Sequence, residues 1–76
     1  MDLPDRRIHA RYDGFELVRY DRAGKWFVEG AQKRRAVKLS EAVTVAVGWL
    51  KVPGGEVIFG LHGGTSFDAK VRAATS

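Results

Sequence analysis

Residues 40–52 carry a helical pattern of apolar positions, and the rest of the chain is patterned as β-strand. Within this segment Ser40 is a typical helix N-cap residue, and Pro53 followed by Gly54 and Gly55 is a typical helix stop. The apolar residues recur three and four positions apart, which is the period of one helix face. They are Ala42, Val45, Ala46, Trp49 and Leu50. The sequence therefore predicts one helix over residues 40–52.

Two additional valines make the apolar surface of this helix wider than one sheet requires. With Val43 and Val47 included, the apolar arc covers roughly 220°, against the ~100° stripe that is enough to face a core. Two explanations stay open: other parts of the same chain cover the excess, or a second protein does. The predicted partner interface consists of Val43, Val47 and Leu50. Val43, Val45 and Val47 also alternate as in a strand, but the cap, the stop and the Trp49 spacing favour a helix.

Four segments before the helix are predicted as β-strands, the first and last from alternating apolar positions and the two between them from their aromatic and aliphatic residues. They are residues 6–12, 15–20, 25–29 and 35–39. Asp13 followed by Gly14 predicts a tight hairpin turn between the first two, because both positions of a type I′ turn need positive φ. Residues 21–24 predict the next turn.

After the helix, the pattern predicts a C-terminal β-hairpin. Residues 56–61 are almost wholly apolar and predict a central strand that is covered on both faces. Residues 62–64 predict the turn, and residues 66–72 alternate as the second strand, with three apolar residues facing inward. These are Phe67, Ala69 and Val71.

Together these elements predict an α+β fold. Its mainly antiparallel sheet contains a β-meander and the C-terminal β-hairpin, and a single helix packs on one face. We expect one domain over residues 6–73, preceded by a flexible N-terminus at residues 1–5. The 76 residues include no cysteine and no apolar run long enough to cross a bilayer, so a cytoplasmic protein with no membrane partner is expected.

Two parts of the chain resemble proteins of unknown function. One is the segment 18–27, VRYDRAGKWF, and the other is the order of helix, Gly-Gly, apolar strand, Gly-Gly and residues 65–68, TSFD. The first is similar to small uncharacterised proteins of actinobacteriophages, in particular mycobacteriophage-like ones. The second resembles the C-terminal halves of those proteins and also small bacterial ββαββ domains. The resemblance implies a small phage or prophage product that acts on a host component, and it carries no catalytic residues.

Candidate catalytic and metal-binding residues are few. The only histidines are His9 and His62, and neither has an obvious set of carboxylates or cysteines for a metal site or a catalytic group. The two glycine pairs match no phosphate-binding motif, and the acidic residues are scattered among cations. The sequence therefore predicts a protein that is not an enzyme and has no cofactor, metal or small-molecule substrate.

Positive charge is the remaining functional signal, since 13 Lys and Arg against 9 Asp and Glu give a net charge of +4. Arginine pairs well with phosphate, and Tyr20 and Phe27 are aromatic residues that can stack on bases beside a basic patch. DNA or RNA is therefore the first predicted partner. The candidate nucleic-acid-binding residues form an N-terminal group and a group before the helix: Arg6, Arg7, Arg11, Lys33, Arg34, Arg35 and Lys38.

The same chain also fits a protein–protein interaction module, which is a different functional class. In this interpretation the wide helix face forms a homodimer, or it binds and inhibits a host protein, and the basic groups are solvated loops. The two functions are compatible, because a dimer can present two basic patches side by side.

Overall fold

The computed structural model describes residues 5–58 and 65–76, which form five strands and two helices. In chain order the elements are β1 (Arg6–Tyr12), β2 (Phe15–Tyr20), β3 (Lys25–Glu29), β4 (Arg34–Val37), α1 (Leu39–Leu50), β5 (Glu56–Val57) and α2 (Thr65–Thr75). The strands form one antiparallel sheet in the order β4-β3-β2-β1-β5. The predicted α+β class is confirmed, whereas the prediction of a single helix is wrong.

The first four strands form the predicted β-meander. β1 and β2 are joined through Asp13 and Gly14, whose φ angles of 52° and 79° are the positive values that a tight hairpin turn needs. The turn between β2 and β3 ends at Gly24, which also has a positive φ of 64°. β4 begins one residue before the predicted strand, at Arg34, and ends at Val37.

The two faces of the sheet differ in what covers them. The helix face packs against both helices and encloses the hydrophobic core, together with the buried ring of His9. The core residues come from three strands and both helices: Ala10, Leu17, Trp26, Ala42, Ala46, Phe67 and Val71. The opposite face, called the open face below, has no helix or strand packed over it within residues 5–58 and 65–76.

α1 begins earlier than the sequence predicts, and Ser40 is not its N-cap. Lys38 occupies the cap position with extended backbone, and its carbonyl accepts the N–H of Ala42, while no side chain caps the helix. The apolar Leu39 packs against the core, so the helix gains by including it as its first residue. α1 ends at Leu50, close to the predicted stop.

The predicted C-terminal hairpin is wrong, because its second strand is a helix and its first strand does not lie in the centre of the sheet. Glu56–Val57 form a strand that pairs with β1 at the edge of the sheet instead of lying in the centre. Residues 59–61 and the predicted turn at 62–64 lie outside the described residues, as do residues 1–4. Residues 66–72 belong to the helix α2, which buries Phe67 and Val71 and leaves Ala69 exposed.

Neither described helix has the length and apolar character that crossing a membrane requires.

Candidate nucleic-acid interface

The seven cations predicted to bind nucleic acid do not converge on one surface. Side chains alternate between faces along a strand, except at the β-bulge or irregularity between Ile8 and Ala10 of β1, which puts Arg6 and Arg11 on the same face. Arg6, Arg11 and Arg34 are on the open face, Arg7 and Arg35 are on the helix face, Lys33 is in the loop before β4, and Lys38 is the cap of α1.

The N-terminal group is divided and largely paired with carboxylates. On the helix face, Arg7 donates a hydrogen bond to Asp21, which Arg19 also contacts at 2.8 Å. The hydrogen bond from Arg7 is the main reason why the pKa of Asp21 is lowered. Arg11 forms an ion pair of 3.2 Å with Glu56 on the neighbouring strand β5. A phosphate would have to displace these carboxylates, so this group does not form a ready anion site.

Arg6 belongs to a polar network that covers the open face. Its guanidinium lies 2.9 Å from a carboxylate oxygen of Glu16 and 2.9 Å from one of Glu29. The Tyr20 hydroxyl donates a hydrogen bond of 2.6 Å to the other oxygen of Glu29. Because Arg6 pairs with Tyr20 and reaches back to Glu16, its side chain spans Val18, which is fully buried outside the main core. The side chains of the network therefore cover Val18 on this face, where no described helix or strand packs over it.

The charges in this network are strongly stabilised. Burial raises the pKa of Glu29, but the hydrogen bonds from Tyr20 and Arg6 outweigh it, so the pKa is lowered overall. The same contacts, first with Glu29 and then with Glu16, raise the pKa of Arg6. Arg6 is thus a structural cation whose charge is already matched within the chain.

Arg34 connects the network to the edge of the sheet. Its guanidinium carbon lies 4.2 Å from the ring centroid of Phe27 and 5.0 Å from that of Tyr20, which is the geometry of a cation–π contact. Its Nε is 3.3 Å from Glu29, and 56% of its side chain stays exposed. The Tyr20 and Phe27 rings meet edge to face at 5.4 Å. The predicted neighbourhood of Arg34, Tyr20 and Phe27 is therefore present on the open face.

The group before the helix remains together at one edge of the sheet. β4 is the terminal strand, so its residues and the loop before it are exposed along one side of the molecule. Lys25 joins this group, because it lines the same cleft as Lys38. The exposed cations at this edge are called the β4 basic strip: Lys25, Lys33, Arg34, Arg35 and Lys38.

Sequence reasoning missed Lys25 because only strand pairing brings it to the strip. Trp26 pairs with Val37, so the preceding residue on β3 comes opposite the residue that follows β4. The sequence did contain a signal for this position. The turn residues before Lys25 mark the start of β3, and pairing of β3 with the next strand would have placed Lys25 near Lys38.

Few carboxylates oppose the β4 basic strip. Glu29 contacts Arg34, and Glu41 of α1 accepts a hydrogen bond from Arg35. Within the residues that the structure describes, no carboxylate forms an ion pair with Lys33 or Lys38. The strip therefore keeps more positive than negative charge and can attract an anionic ligand.

An open cleft lies at each end of β4. The cleft at the loop has a volume of about 340 Å³ and is lined by Tyr20 and residues 29–34. The cleft at the other end has a volume of about 370 Å³ and is lined by Lys25, Ala36, Val37, Lys38 and Glu41. The strip is thus a continuous basic edge with a depression at either end.

The three residues of the predicted partner interface differ in how far they are exposed. Val43 and Val47 are half-buried and pack against the core of their own chain, so the same chain covers part of the excess apolar surface. Their part in a partner interface stays a prediction. Leu50 is 39% exposed, and Phe15 and Val52 are also exposed at 37% and 36%. Of the three predicted interface residues, Leu50 is the one whose side chain is exposed to solvent.

Among residues 5–58 and 65–76, no three histidine, cysteine or acidic side chains come together in a group that could hold a metal ion. Comparisons of the chain with protein-family models, curated proteins and solved structures find no match. The resemblance to actinobacteriophage proteins and to small ββαββ domains therefore stays a prediction.

Proposed function

We propose that this protein is a small non-catalytic basic binding module that contacts nucleic acid through the β4 basic strip. The observation that carries this proposal is the group of five exposed cations along one sheet edge, opposed by two carboxylates. The open-face aromatic residues beside the strip support it further.

The length of the strip suits a nucleic-acid backbone. A strand rises about 3.3 Å per residue, so the 4 residues of β4 cover about 13 Å. One strand carries a phosphate about every 3.4 Å along a duplex axis and at wider spacing when it is extended, so this length of edge can lie beside more than one phosphate. Lysine and arginine at this spacing release counterions from the backbone when they bind it.

The proposed contact set is smaller than the set predicted from sequence. Lys33, Arg34, Arg35 and Lys38 are retained, and Lys25 is added because it shares a cleft with Lys38. The three N-terminal arginines are left out because they lie on β1, which β2 and β3 separate from the strip, and each is also paired with a carboxylate: Arg6, Arg7 and Arg11.

Removing two strip lysines tests the proposal. The Lys33→Gln/Lys38→Gln variant loses two charges without leaving a carboxylate unpaired, so the fold should be unaffected. We expect the slope of log affinity against log salt concentration to become shallower by about 1.5, because each phosphate contact contributes about 0.7 to 0.9. Fluorescence anisotropy with a labelled oligonucleotide, titrated at several salt concentrations, measures this slope.

The matched control is Lys51→Gln/Lys70→Gln, which removes the same charge from the end of α1 and from α2. If the strip alone makes the contact, this control keeps the wild-type slope. Equal slopes for the two variants, or no binding of the wild-type protein to DNA or RNA at low salt, would contradict the proposal.

A second candidate function is a protein–protein interaction module, and the exposure of Leu50 favours it. Val52 lies two residues further along and is exposed as well, so the end of α1 presents apolar surface. In this function the chain forms a homodimer there or binds a host protein.

Light scattering over a range of protein concentrations tests the homodimer, and Leu50→Asn should weaken any association. A strictly monomeric wild-type protein removes the homodimer and leaves only the binding of a different protein, which Leu50→Asn should weaken in a pull-down from host extract.

A further inference from the structure

We infer that the nucleic acid is single-stranded and that a base joins the stack of Phe27 and Arg34 on the open face. This inference rests on the proposed function and adds to it a base-contacting site beside the strip. The ligand class is then single-stranded DNA or RNA, bound by phosphate contacts and by base stacking together.

The first argument is the position of the stack. Arg34 belongs to the β4 basic strip, and its guanidinium carbon is 4.2 Å from the Phe27 ring centroid. Phe27 pairs with Ala36 of β4, so only a small side chain separates the ring from the edge of the sheet on this face. A strand of nucleic acid that follows β4 therefore passes directly beside an arginine plane and an aromatic ring.

The second argument is that the stack is accessible. The open face has no described element above it, Phe27 is half-buried and Arg34 is 56% exposed. Guanidinium planes and aromatic rings both stack on bases, and such stacking accepts every base because each one has a π-face. The cleft at the adjacent loop, about 340 Å³, provides room beside Arg34 for a group that leaves the backbone.

The third argument distinguishes a single strand from a duplex. In a duplex the faces of the bases are covered by their neighbours, so a flat sheet face with one stack gains nothing from them without unstacking. In a single strand the bases can turn towards the sheet while the phosphates stay along the strip. The cations along the edge of the sheet and the neighbouring stack on the open face fit that arrangement.

Carboxylates on the open face do not oppose this arrangement strongly. Glu16 and Glu29 are both bonded to Arg6, and Glu29 is also bonded to Tyr20 and contacts Arg34. The two carboxylates are offset by the two cations Arg6 and Arg34, so the open face beside Phe27 does not carry an excess of negative charge.

The experiment combines a change in the protein with a change in the ligand. The ligands are labelled single strands of about 12 nucleotides, within the site sizes of single-strand-binding domains, and an abasic strand with the same phosphates. The protein variant is Phe27→Leu, which removes the ring and keeps an apolar side chain. We expect wild-type protein to bind the normal strand about 10-fold more tightly than the abasic one, and Phe27→Leu to lose most of that preference.

Two further variants separate stacking from folding and from charge. Phe15→Leu changes an exposed phenylalanine on the helix face of the same sheet and should leave the preference unchanged. Arg34→Lys keeps the charge and loses the planar group, so it should reduce the preference for the normal strand while the salt slope stays the same. Thermal unfolding of each variant confirms that it is folded at the temperature of the titration.

The outcomes of this experiment are distinct. Equal wild-type affinity for normal and abasic strands, or tighter binding to a duplex of equal length, overturns the inference but leaves binding through the strip intact. An unchanged preference in both Phe27→Leu and Arg34→Lys also overturns it. Absence of binding to any of these ligands at low salt overturns the inference and the proposed function together.

Discussion

Gly55 lies against the end of α1 at a distance that excludes any side chain. A Cβ atom at this position would be 1.7 Å from the carbonyl oxygen of Trp49, which is backbone and cannot move aside. We therefore expect Gly55→Ala to lower the free energy of unfolding by about 1–3 kcal/mol through overpacking. Gly48→Ala is the control, because an added Cβ meets nothing within 4 Å there, and it should stabilise the helix by about 0.5–1 kcal/mol. Urea denaturation measures the free energy of unfolding of both variants. Equal changes in the two variants would contradict the close contact between Gly55 and the end of α1.

Glu29 makes the stability of the protein depend on pH. Its pKa in the folded chain is below the ordinary value of 4.5, because hydrogen bonds from Tyr20 and Arg6 outweigh the effect of burial. A carboxylate with a lowered pKa stabilises the fold above its unfolded pKa, and this contribution is lost as the pH falls through the folded value. We expect the free energy of unfolding to decrease below about pH 4.5.

The Glu29→Gln variant tests this origin of the pH dependence. It should be less stable than the wild type at neutral pH and should show a weaker loss on acidification, measured by urea denaturation between neutral pH and pH 3. Glu56→Gln is the control, because that carboxylate forms only an exposed ion pair with Arg11, and such pairs contribute little. If acidification lowers the free energy of unfolding of Glu29→Gln as much as that of the wild type, groups other than Glu29 cause the pH dependence.

At the scale of single elements, the meander was predictable and α2 was not, because turn residues fix the meander whereas the apolar spacing of α2 fits both a strand and a helix. The strands before α1 are rich in β-branched and aromatic residues, and Asp13 with Gly14 fixes a turn that only a hairpin accommodates. In α2, Phe67 and Val71 are four residues apart, so they lie on the same side of a strand and also on the same face of a helix. Ala69 completed the strand pattern in the sequence, but in the helix it is exposed.

The sequence likewise predicted one part of the candidate site, the cations before α1, and did not predict the ion pairs of Arg6. Cations close together in sequence, from Lys33 to Lys38, stay together whatever the register of the sheet. Arg6 is different, because its partners Glu16 and Glu29 are on two other strands and become neighbours only through pairing. Ion pairs of this kind depend on register, which the sequence pattern alone does not specify.

A proline at an exposed position of α2 tests the helix directly. Lys70 lies inside the helix with its side chain in solvent, so its replacement changes the backbone more than the packing. We expect Lys70→Pro to lower the free energy of unfolding by about 3 kcal/mol, because proline removes a helix hydrogen bond and clashes with the preceding turn. Lys70→Ala should have almost no effect, as alanine favours a helix. Urea denaturation followed by circular dichroism provides the measurement, and similar stabilities for the two variants would contradict a helix here.

At the scale of the whole molecule, the β4 basic strip has a second physical consequence. β4 is an edge strand, and an exposed edge can pair with the same edge of another copy unless charge prevents it. Arg34 and Arg35 point to opposite faces of this strand, so both sides of the edge carry a cation. We therefore expect the cations proposed to bind nucleic acid also to oppose edge-to-edge pairing of separate molecules.

This second role predicts that the protein associates when the cations at the β4 edge are removed. Arg34→Val/Arg35→Val replaces both with a residue that favours strands, so we expect concentration-dependent association that light scattering detects in nuclease-treated protein. The control Lys51→Val/Lys70→Val makes the same change of charge and apolar surface on the helices and should scatter like the wild type. If both variants associate equally, general apolar exposure is the cause and the edge has no special part in it.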